Sequence, residues 1–438
     1  MMLHLKGAHV PHKKNTANMS AVRMTPPAKV VLPTVMHIGA PATPVVKPGD
    51  YVAVGTLVAE QNGFVSSPVY ASVSGTVVEV ADVLLTSGAT APGITIESDG
   101  KMTVSEDVQP PVVNSREDMV DAIKKSGIVG LGGAGFPTYI KFGPNSKIDI
   151  QYLVINGAEC EPYITSDSVT MVDRVDDITY SIQQLCKWFE IENVIIGIEK
   201  NKPEAIEVMK KVASQISGAN VQVKVLPSLY PQGGEKVLVY HTTGRQIPTG
   251  KLPIDVGCVV CNSTTIASIG SFLKTGMPLV EKCVTVDGGA VAEAKNVIVP
   301  IGTPLKDVFD FCGGFKSEPG KVLYGGPMMG VAVPNIDAPI LKNTNAILAF
   351  NEKESKEYKT TACIKCGACI NHCPFGINPA AITRAYKQQD TKALDKLGTD
   401  LCMLCGCCSF VCPAKQPLVH TNLQAKAMLR SAREKEAK

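Results

Sequence analysis

Apolar positions change period along this chain, and each change marks a new part. Between Pro44 and Val80, short Val-rich runs (Val45-Val46, Val52, Leu57-Val58, Val77-Val78) alternate with Gly and Pro. Such alternation predicts small antiparallel sheets, preceded by a short strand over Lys29–Leu32. Asp99–Asn114, stiffened by Pro110-Pro111, reads as a linker. The period then lengthens. Arg116–Ser126 is expected to be helical, with Ser115 as its cap and Asp118 three residues on. Tyr152–Asn156 is an apolar run fitting a buried strand. Helices over Asp176–Phe189 and Pro203–Ile216 then alternate with strands over Val194–Ile198 and Val221–Leu226. Strand–helix alternation of this kind predicts an α/β unit on a mostly parallel sheet. Residues 281–333 return to short β runs around Gly288-Gly289, Gly313-Gly314 and Gly325-Gly326. The chain turns charged from 351, with helices expected over Pro379–Leu397 and Leu418–Lys438.

The 438 residues exceed what a single core holds, roughly 250 residues, so the chain is multidomain. We divide it at 1–110, 111–280, 281–345 and 346–438. A hydrophobic share of 45% against 19% charged residues is ample for packed cores, and a net charge of +3 creates no long-range field. With one Trp and no basic run among aromatics, nucleic acid is not an expected partner. Lys6, His12, Lys13 and Lys14 read as a solvated basic tail. No stretch of about 18 apolar residues crosses a membrane. The first residues lack the apolar core of a signal peptide, so a reducing cytoplasm is expected and the fifteen cysteines are not a disulfide framework.

Eight of those cysteines carry the strongest chemical signal. Cys363, Cys366, Cys369 and Cys373 precede Pro374, and Cys402, Cys405, Cys408 and Cys412 precede Pro413. Both runs read C-x2-C-x2-C-x3-C-P, the spacing by which bacterial ferredoxins hold a pair of [4Fe–4S] clusters, each fourth cysteine serving the other cluster. One cluster is therefore expected on Cys363, Cys366, Cys369 and Cys412, the other on Cys402, Cys405, Cys408 and Cys373. The alternative is a pair of four-cysteine zinc sites, which leaves the third closely spaced cysteine of each run unexplained. Cys407 reads as a spare thiol, and Cys258 and Cys261 as core or loop cysteines.

A second signal is Gly130-Leu131-Gly132-Gly133-Ala134-Gly135-Phe136-Pro137-Thr138. Closely spaced glycines let backbone N–H groups approach an anion without obstruction by Cβ. No Lys-Ser or Lys-Thr follows, so the segment is not the nucleoside-triphosphate P-loop. For any one glycine a flexible turn is an adequate explanation; for the group a ligand loop fits better.

These segments resemble a known family. The order "VKPGDYVAVGTLVAE" to "VSGTVVEV" resembles the barrel-sandwich fold of lipoyl and biotinyl domains, although the hairpin Gln61-Asn62-Gly63-Phe64 has no Lys, which implies no lipoate or biotin attachment. "GLGGAGFPTYIKF" resembles the flavin loop of the NADH-oxidising subunit of respiratory complex I. The whole chain resembles the C subunits of Rnf complexes more closely, through "GAHVP", "MHIGAPATPVVKPGD", "LVINGAECEPYITSD", "YPQGGEK", "VDGGAV", "GGPMMG" and the twin cysteine motifs in that order. The resemblance implies an N-terminal barrel-sandwich-like β domain, a central α/β flavin- and NADH-binding domain, a small SLBB-like β-grasp domain and a mainly helical, ferredoxin-type domain with two clusters. It implies non-covalent FMN lined by Gly130, Gly132, Gly133 and Gly135, with Lys141 near the phosphate and Phe136 near the nicotinamide. Asn156, Glu159, Gly233, Glu235, Asn262 and Thr265 match flavin-contacting positions, and Glu161 matches an acid near NADH. Complex I has Asp where this chain has Ala158 and Glu where it has Gly234, which alters the dinucleotide contacts. The implied activity is hydride exchange with NAD at FMN and one-electron transfer through two [4Fe–4S] clusters, between NAD and ferredoxin. Other subunits, a ferredoxin-type one among them, would couple this to Na+ or H+ translocation at the cytoplasmic side of the membrane. The alternatives are a soluble FMN and iron–sulfur reductase feeding a cobalamin or a proline-reductase-type selenoenzyme, and a cluster scaffold with a vestigial flavin pocket.

Overall fold

The computed structural model describes residues 6–85, 88–143 and 149–436. The first five residues, on which the signal-peptide reading partly rests, and the last two of the expected C-terminal helix lie outside them. The first unit pairs β1 (Lys29–Pro33), β2 (Tyr51–Val52), β3 (Gly75–Leu84) and β4 (Thr90–Ser98) in the order β1-β4-β3-β2, all antiparallel. A second sheet of three short strands closes the sandwich. Val30, Leu32, Val77, Ile94 and Ile96 are fully buried, while Val45 and Val78 face outward. The hairpin at Gln61 is tied to the next unit, Gln61 Nε2 donating to Tyr139 Oη at 2.8 Å.

In the central unit α1 (Arg116–Lys125) begins at Ser115, whose hydroxyl accepts the Asp118 N–H. β5 (Tyr152–Gly157) leads through α2 (Ser166–Asp173) and α3 (Val175–Phe189) to β6 (Asn193–Glu199), then α4 (Pro203–Gln215) and β7 (Asn220–Leu226). Sequence periodicity did not resolve the next three elements, α5 (Glu235–Thr243), β8 (Cys258–Asn262) and α6 (Ser263–Thr275). The α6 segment STTIASIGSFLKT is rich in Ser, Thr and Gly, poor helix formers. Tertiary packing holds it, since a Cβ on Gly270 would lie 1.9 Å from the Asp177 carbonyl oxygen, so α6 and α3 touch backbone to backbone. The four strands run parallel in the order β7-β6-β5-β8.

The third unit is a six-stranded mixed sheet containing β9 (Glu281–Asp287), β10 (Lys295–Pro300), β11 (Lys321–Tyr324) and β12 (Ala346–Phe350), with α7 (Leu305–Phe311) against it. All of β12 is buried and it lies between β9 and β11, so we place the end of this unit at Phe350 rather than residue 345. The N-terminal arm supplies an edge, Val22–Arg23 pairing with β10. In the last unit the helix expected over Pro379–Leu397 is two helices, α8 (Pro379–Lys387) and α9 (Thr391–Lys396). Gln389 adopts a left-handed backbone and the Asp390 side chain caps α9, so a turn replaces the continuous helix. α10 (Leu418–Glu436) packs across both.

A buried lysine joins three of the units. Lys342 is 1% exposed, and its Nζ donates to Ser67 Oγ, to the Pro68 carbonyl and to the Gly127 carbonyl at 2.8 Å. Burial lowers its pKa from 10.5 to about 7. The unfolded chain then binds a proton that the folded chain lacks between those values. The contribution of Lys342 to stability therefore rises with pH from about 7 toward 10.5 and is level below 7, where the folded and unfolded chains carry the same proton. Lys342→Met removes this contribution. Calorimetric melting from pH 7 to 9.5 is expected to show a shallower rise in Tm for the variant; an unchanged slope would show that Lys342 stays protonated in the fold.

Candidate functional site

The parallel sheet reverses its strand order between β5 and β8, and loops diverge there at the carboxyl ends of the strands, where open α/β sheets bind ligands. The register sets Asn156 opposite Asn262 at this point. Each asparagine holds a loop. Asn156 Nδ2 donates to the Gly233 carbonyl at 2.9 Å and its Oδ1 accepts the Ala158 N–H. Asn262 caps α6, its Oδ1 accepting the Thr264 and Thr265 N–H groups, while its Nδ2 donates to Asp167 Oδ2 at 2.7 Å. The α6 N-terminus, two of whose first N–H groups are capped by Asn262, brings the positive end of its dipole to the carboxyl end of β8.

The glycine loop is fastened beside it. Leu131 N–H donates to Thr265 Oγ1 at 3.1 Å, and the buried Lys282 Nζ donates to the Leu131 carbonyl. Gly130 N–H donates to the Phe136 carbonyl at 2.8 Å, closing the loop. The glycines differ in what requires them. Gly135 has φ +72°, and a Cβ on Gly132 would lie 2.4 Å from Asn262 Nδ2. Nothing lies within 4 Å of a Cβ at Gly133, and only Phe136 backbone atoms near one at Gly130, so protein packing does not explain these two. Gly132, Gly133 and Ala134 face solvent, and Phe136 is half-buried. Lys141 Nζ donates to the Val260 carbonyl at 2.7 Å near the end of β8, two residues before the α6 cap. Thr265, by contrast, is buried in holding the loop.

The acidic segment after β5 is occupied by the fold itself. Both Glu159 oxygens accept from the first turn of α2, from the Asp167 N–H and the Ser168 hydroxyl, each at 2.8 Å. Its carboxyl is buried and its pKa is pushed up by that burial, against the pull of the Lys14 ammonium. Glu161 accepts the Met328 and Met329 N–H groups at 3.0 and 2.9 Å, so the "GGPMMG" loop of the third unit sits on it; burial raises its pKa to about 7. The expectation of a solvated basic tail is corrected at Lys14. Its Nζ donates to the carbonyls of Glu159, Glu161 and Ile164, and burial lowers its pKa to about 8. Charge alone gave no sign of this, because a lysine bound to carbonyls needs no acidic partner in the sequence. Lys202, which donates to the Glu159 carbonyl and forms a buried pair with Glu199 at 2.8 Å, was missed as well, because an acid three residues away reads in the sequence as an ordinary surface pair.

The cysteine motifs lie beside these loops. The structure brings Cys373 to Cys402, Cys405 and Cys408 around one largely apolar pocket, all four buried, while Cys369 and Cys412 are half-buried. Both motifs share a backbone course: Lys365 and Leu404, Gly367 and Gly406, Gly376 and Lys415 are all left-handed. Alternating right- and left-handed residues turn successive N–H groups inward, a geometry that suits an anionic cluster. Cys363 and Cys366 are exposed, so one set faces outward and the other inward. The inner set abuts the flavin-type loops. Tyr230 Oη donates to the Cys405 carbonyl at 2.7 Å, and a Cβ on Gly234 would lie 2.3 Å from Met403 Cε. Met403 thus fills the space that a larger residue at 234 would take. Ala158 is buried in an apolar cluster with Val154 and Leu238, and Glu235 is exposed at the α5 N-terminus.

Residues 123–271 match the family model of the Nuo51 FMN-binding domain, 3–101 the RnfC barrel sandwich hybrid domain, 283–332 the SLBB domain and 359–416 a 4Fe-4S dicluster domain. The chain is 43% identical, over 85% of its length and 81% of the relative's, to the C subunit of the proton-translocating ferredoxin:NAD(+) oxidoreductase complex of Clostridium ljungdahlii. It is 42% identical to the Na(+)-translocating counterpart of Acetobacterium woodii, over 88% of this chain and 87% of that one. Among solved structures, a chain of the H2-reduced NAD+-reducing [NiFe]-hydrogenase aligns with a TM-score of 0.52 at 18% identity, which shows a shared fold. That alignment covers 72% of this chain and 63% of the hydrogenase chain.

Gly133→Val tests the loop without disturbing its packing. The apo-protein is expected to keep its stability within about 1 kcal/mol, while FMN binding by fluorescence quenching weakens at least about tenfold. Equal flavin affinity in the variant would remove the loop from the site.

Proposed function

This chain belongs to the family of C subunits of ion-translocating ferredoxin:NAD(+) oxidoreductase complexes, and we propose that it is the NADH-reactive electron-transfer member of such a complex. FMN, when bound, exchanges a hydride with NAD and single electrons with an iron–sulfur cluster, reconciling a two-electron donor with one-electron carriers. The protein's part is placement. Gly130, Gly132, Gly133 and Gly135 offer backbone to the flavin, with Lys141 and the α6 N-terminus on its phosphate side and Phe136 on the nicotinamide side. Asn156, Asn262, Thr265, Glu159 and Glu161 act as positioning residues that hold the loops, and Gly233, Gly234 and Glu235 form the wall toward the cysteines.

The observation that carries this reading is the packing of the second cysteine motif on the flavin-type loops, through Met403 against Gly234 and Tyr230 on Cys405. It supports an order in which Cys402, Cys405, Cys408 and Cys373 hold the [4Fe–4S] cluster next to the flavin. Cys363, Cys366, Cys369 and Cys412 then hold the outer one. Around the outer set, Tyr358 and Ile364 are each 66% exposed, and Lys359, Lys365 and Lys415 are exposed with no acidic residue between 358 and 374. This face suits an acidic one-electron carrier, such as a ferredoxin-type partner within the complex. Among the described residues no helix is long and apolar enough to cross a membrane, and ion movement is assigned to other subunits. The near-equal identity to relatives named for protons and for Na+ supports the same division: the coupling ion is not chosen here.

Anaerobic titration of the reconstituted chain with NADH is expected to bleach the flavin absorbance and to raise EPR signals of two reduced [4Fe–4S] clusters. Clusters that dithionite reduces but NADH does not would overturn the reading. Charge reversal, Lys365→Glu with Lys415→Glu, is expected to slow reduction of an acidic ferredoxin about tenfold at low salt while NADH–ferricyanide activity is kept. Equal rates would remove this face from the partner contact.

A further inference from the structure

The two cysteine motifs repeat with the same spacing, and the repeat extends into the helices beyond them. Pro379, which begins α8 after the first motif, corresponds to Leu418, which begins α10 after the second. In this correspondence Thr383 matches Asn422, and Lys387 matches Lys426. The environments of the matched residues differ.

Asn422 is fully buried, lines the pocket formed by Cys373, Cys402, Cys405 and Cys408, and points its Nδ2 at Cys402 Sγ, 3.4 Å away. Its Oδ1 has no hydrogen-bond partner among the described residues. A carboxamide with one orphaned end is costly to bury, and a leucine of similar volume would fill the position without that cost. The polar group is therefore explained by what the other end does. A metal-bound thiolate carries no proton and can only accept, so the N–H end must face the sulfur. One turn along α10, Lys426 Nζ donates to the Cys402 carbonyl at 2.7 Å, fixing that ligand's backbone against the same helix face. In the first motif Thr383 spends its hydroxyl on its own helix, donating to the Pro379 carbonyl at 2.9 Å, and Lys387 is exposed.

We propose that Asn422 is a positioning and tuning residue of the inner cluster. It donates an N–H···S hydrogen bond to Cys402 that the outer cluster lacks from the matching residue, Thr383, and so raises the reduction potential of the inner cluster relative to the outer. The physical cause is charge: one-electron reduction adds negative charge that spreads onto the sulfurs, and a hydrogen bond to sulfur stabilises that state more than the oxidised one. The inference rests on the reading that these eight cysteines hold two [4Fe–4S] clusters.

The experiment is an EPR-monitored redox titration of the reconstituted full-length chain. Iron and sulfide content and two distinguishable signals in the unaltered protein decide the cluster reading first. Asn422→Leu is then expected to move the midpoint of one signal to a more negative potential and leave the other in place. Thr383→Val is expected to move neither. Should Asn422→Leu lose iron, Asn422→Asp, which keeps the shape but replaces the donor with a charge, is expected to show the same negative shift. Unmoved midpoints in an iron-replete variant overturn the proposal. Loss of one cluster from both variants overturns it too, leaving Asn422 a purely structural residue.

Discussion

The opposition of Asn156 and Asn262 across two parallel strands is the constraint on which this molecule depends. Parallel pairing aligns the carboxyl ends of β5 and β8, and the reversal of strand order at that pair forces the segments beyond them apart. A crevice results without any special loop design. Both amides are then used to hold its walls: one ties down the Gly233 carbonyl, the other caps α6 and binds Asp167. The glycine loop, anchored by Thr265 on α6, inherits its position from the same strand end. Few of these residues are needed to touch a ligand; more are needed to keep the backbone where a ligand could be touched.

Irregular loops brought together in this way leave carbonyl groups inside the protein, and buried lysines satisfy them. Lys14 holds the acidic segment, Lys282 the glycine loop and Lys342 the junction of three units. Lys14 Nζ donates to three carbonyls of one segment, Lys282 Nζ to the Leu131 carbonyl, and Lys342 Nζ to a hydroxyl and two carbonyls from two units, drawing on the three donors an ammonium carries. Its cost is desolvation, visible as the lowered pKa of all three. The N-terminal arm takes part directly. Ala8 pairs with Tyr230, whose hydroxyl reaches Cys405, so arm, flavin-type loop and cysteine motif share one small apolar cluster.

Much of this was legible in the chain. Alternation of apolar positions marked the N-terminal sandwich, strand–helix alternation marked the parallel sheet, and Ser115 marked the start of α1. Local signals failed where packing overrode them. The Ser- and Thr-rich α6 has weak propensity and exists because its backbone meets that of α3 at Gly270. The helix expected between the motifs breaks because Asp390 caps a second helix instead of continuing the first. Gly234 reads in the sequence as a lost contact, and only the fold shows Met403, from a distant segment, in the space beside it.

The sequence by itself determined which chemistry this protein can carry. Thiolate spacing and glycine spacing act through bond lengths and steric freedom within a few residues, so they survive translation into structure unchanged. Only the tertiary structure decided that two cysteine runs of identical spacing are not equivalent. Cys402, Cys405 and Cys408 of one run are buried beside the flavin-type loops with Asn422 Nδ2 at Cys402 Sγ, whereas Cys363 and Cys366 of the other are open to solvent beside exposed lysines. Burial, dielectric and hydrogen bonds to sulfur come from segments far apart in the chain, and those are the quantities that give otherwise identical sites different electron affinities.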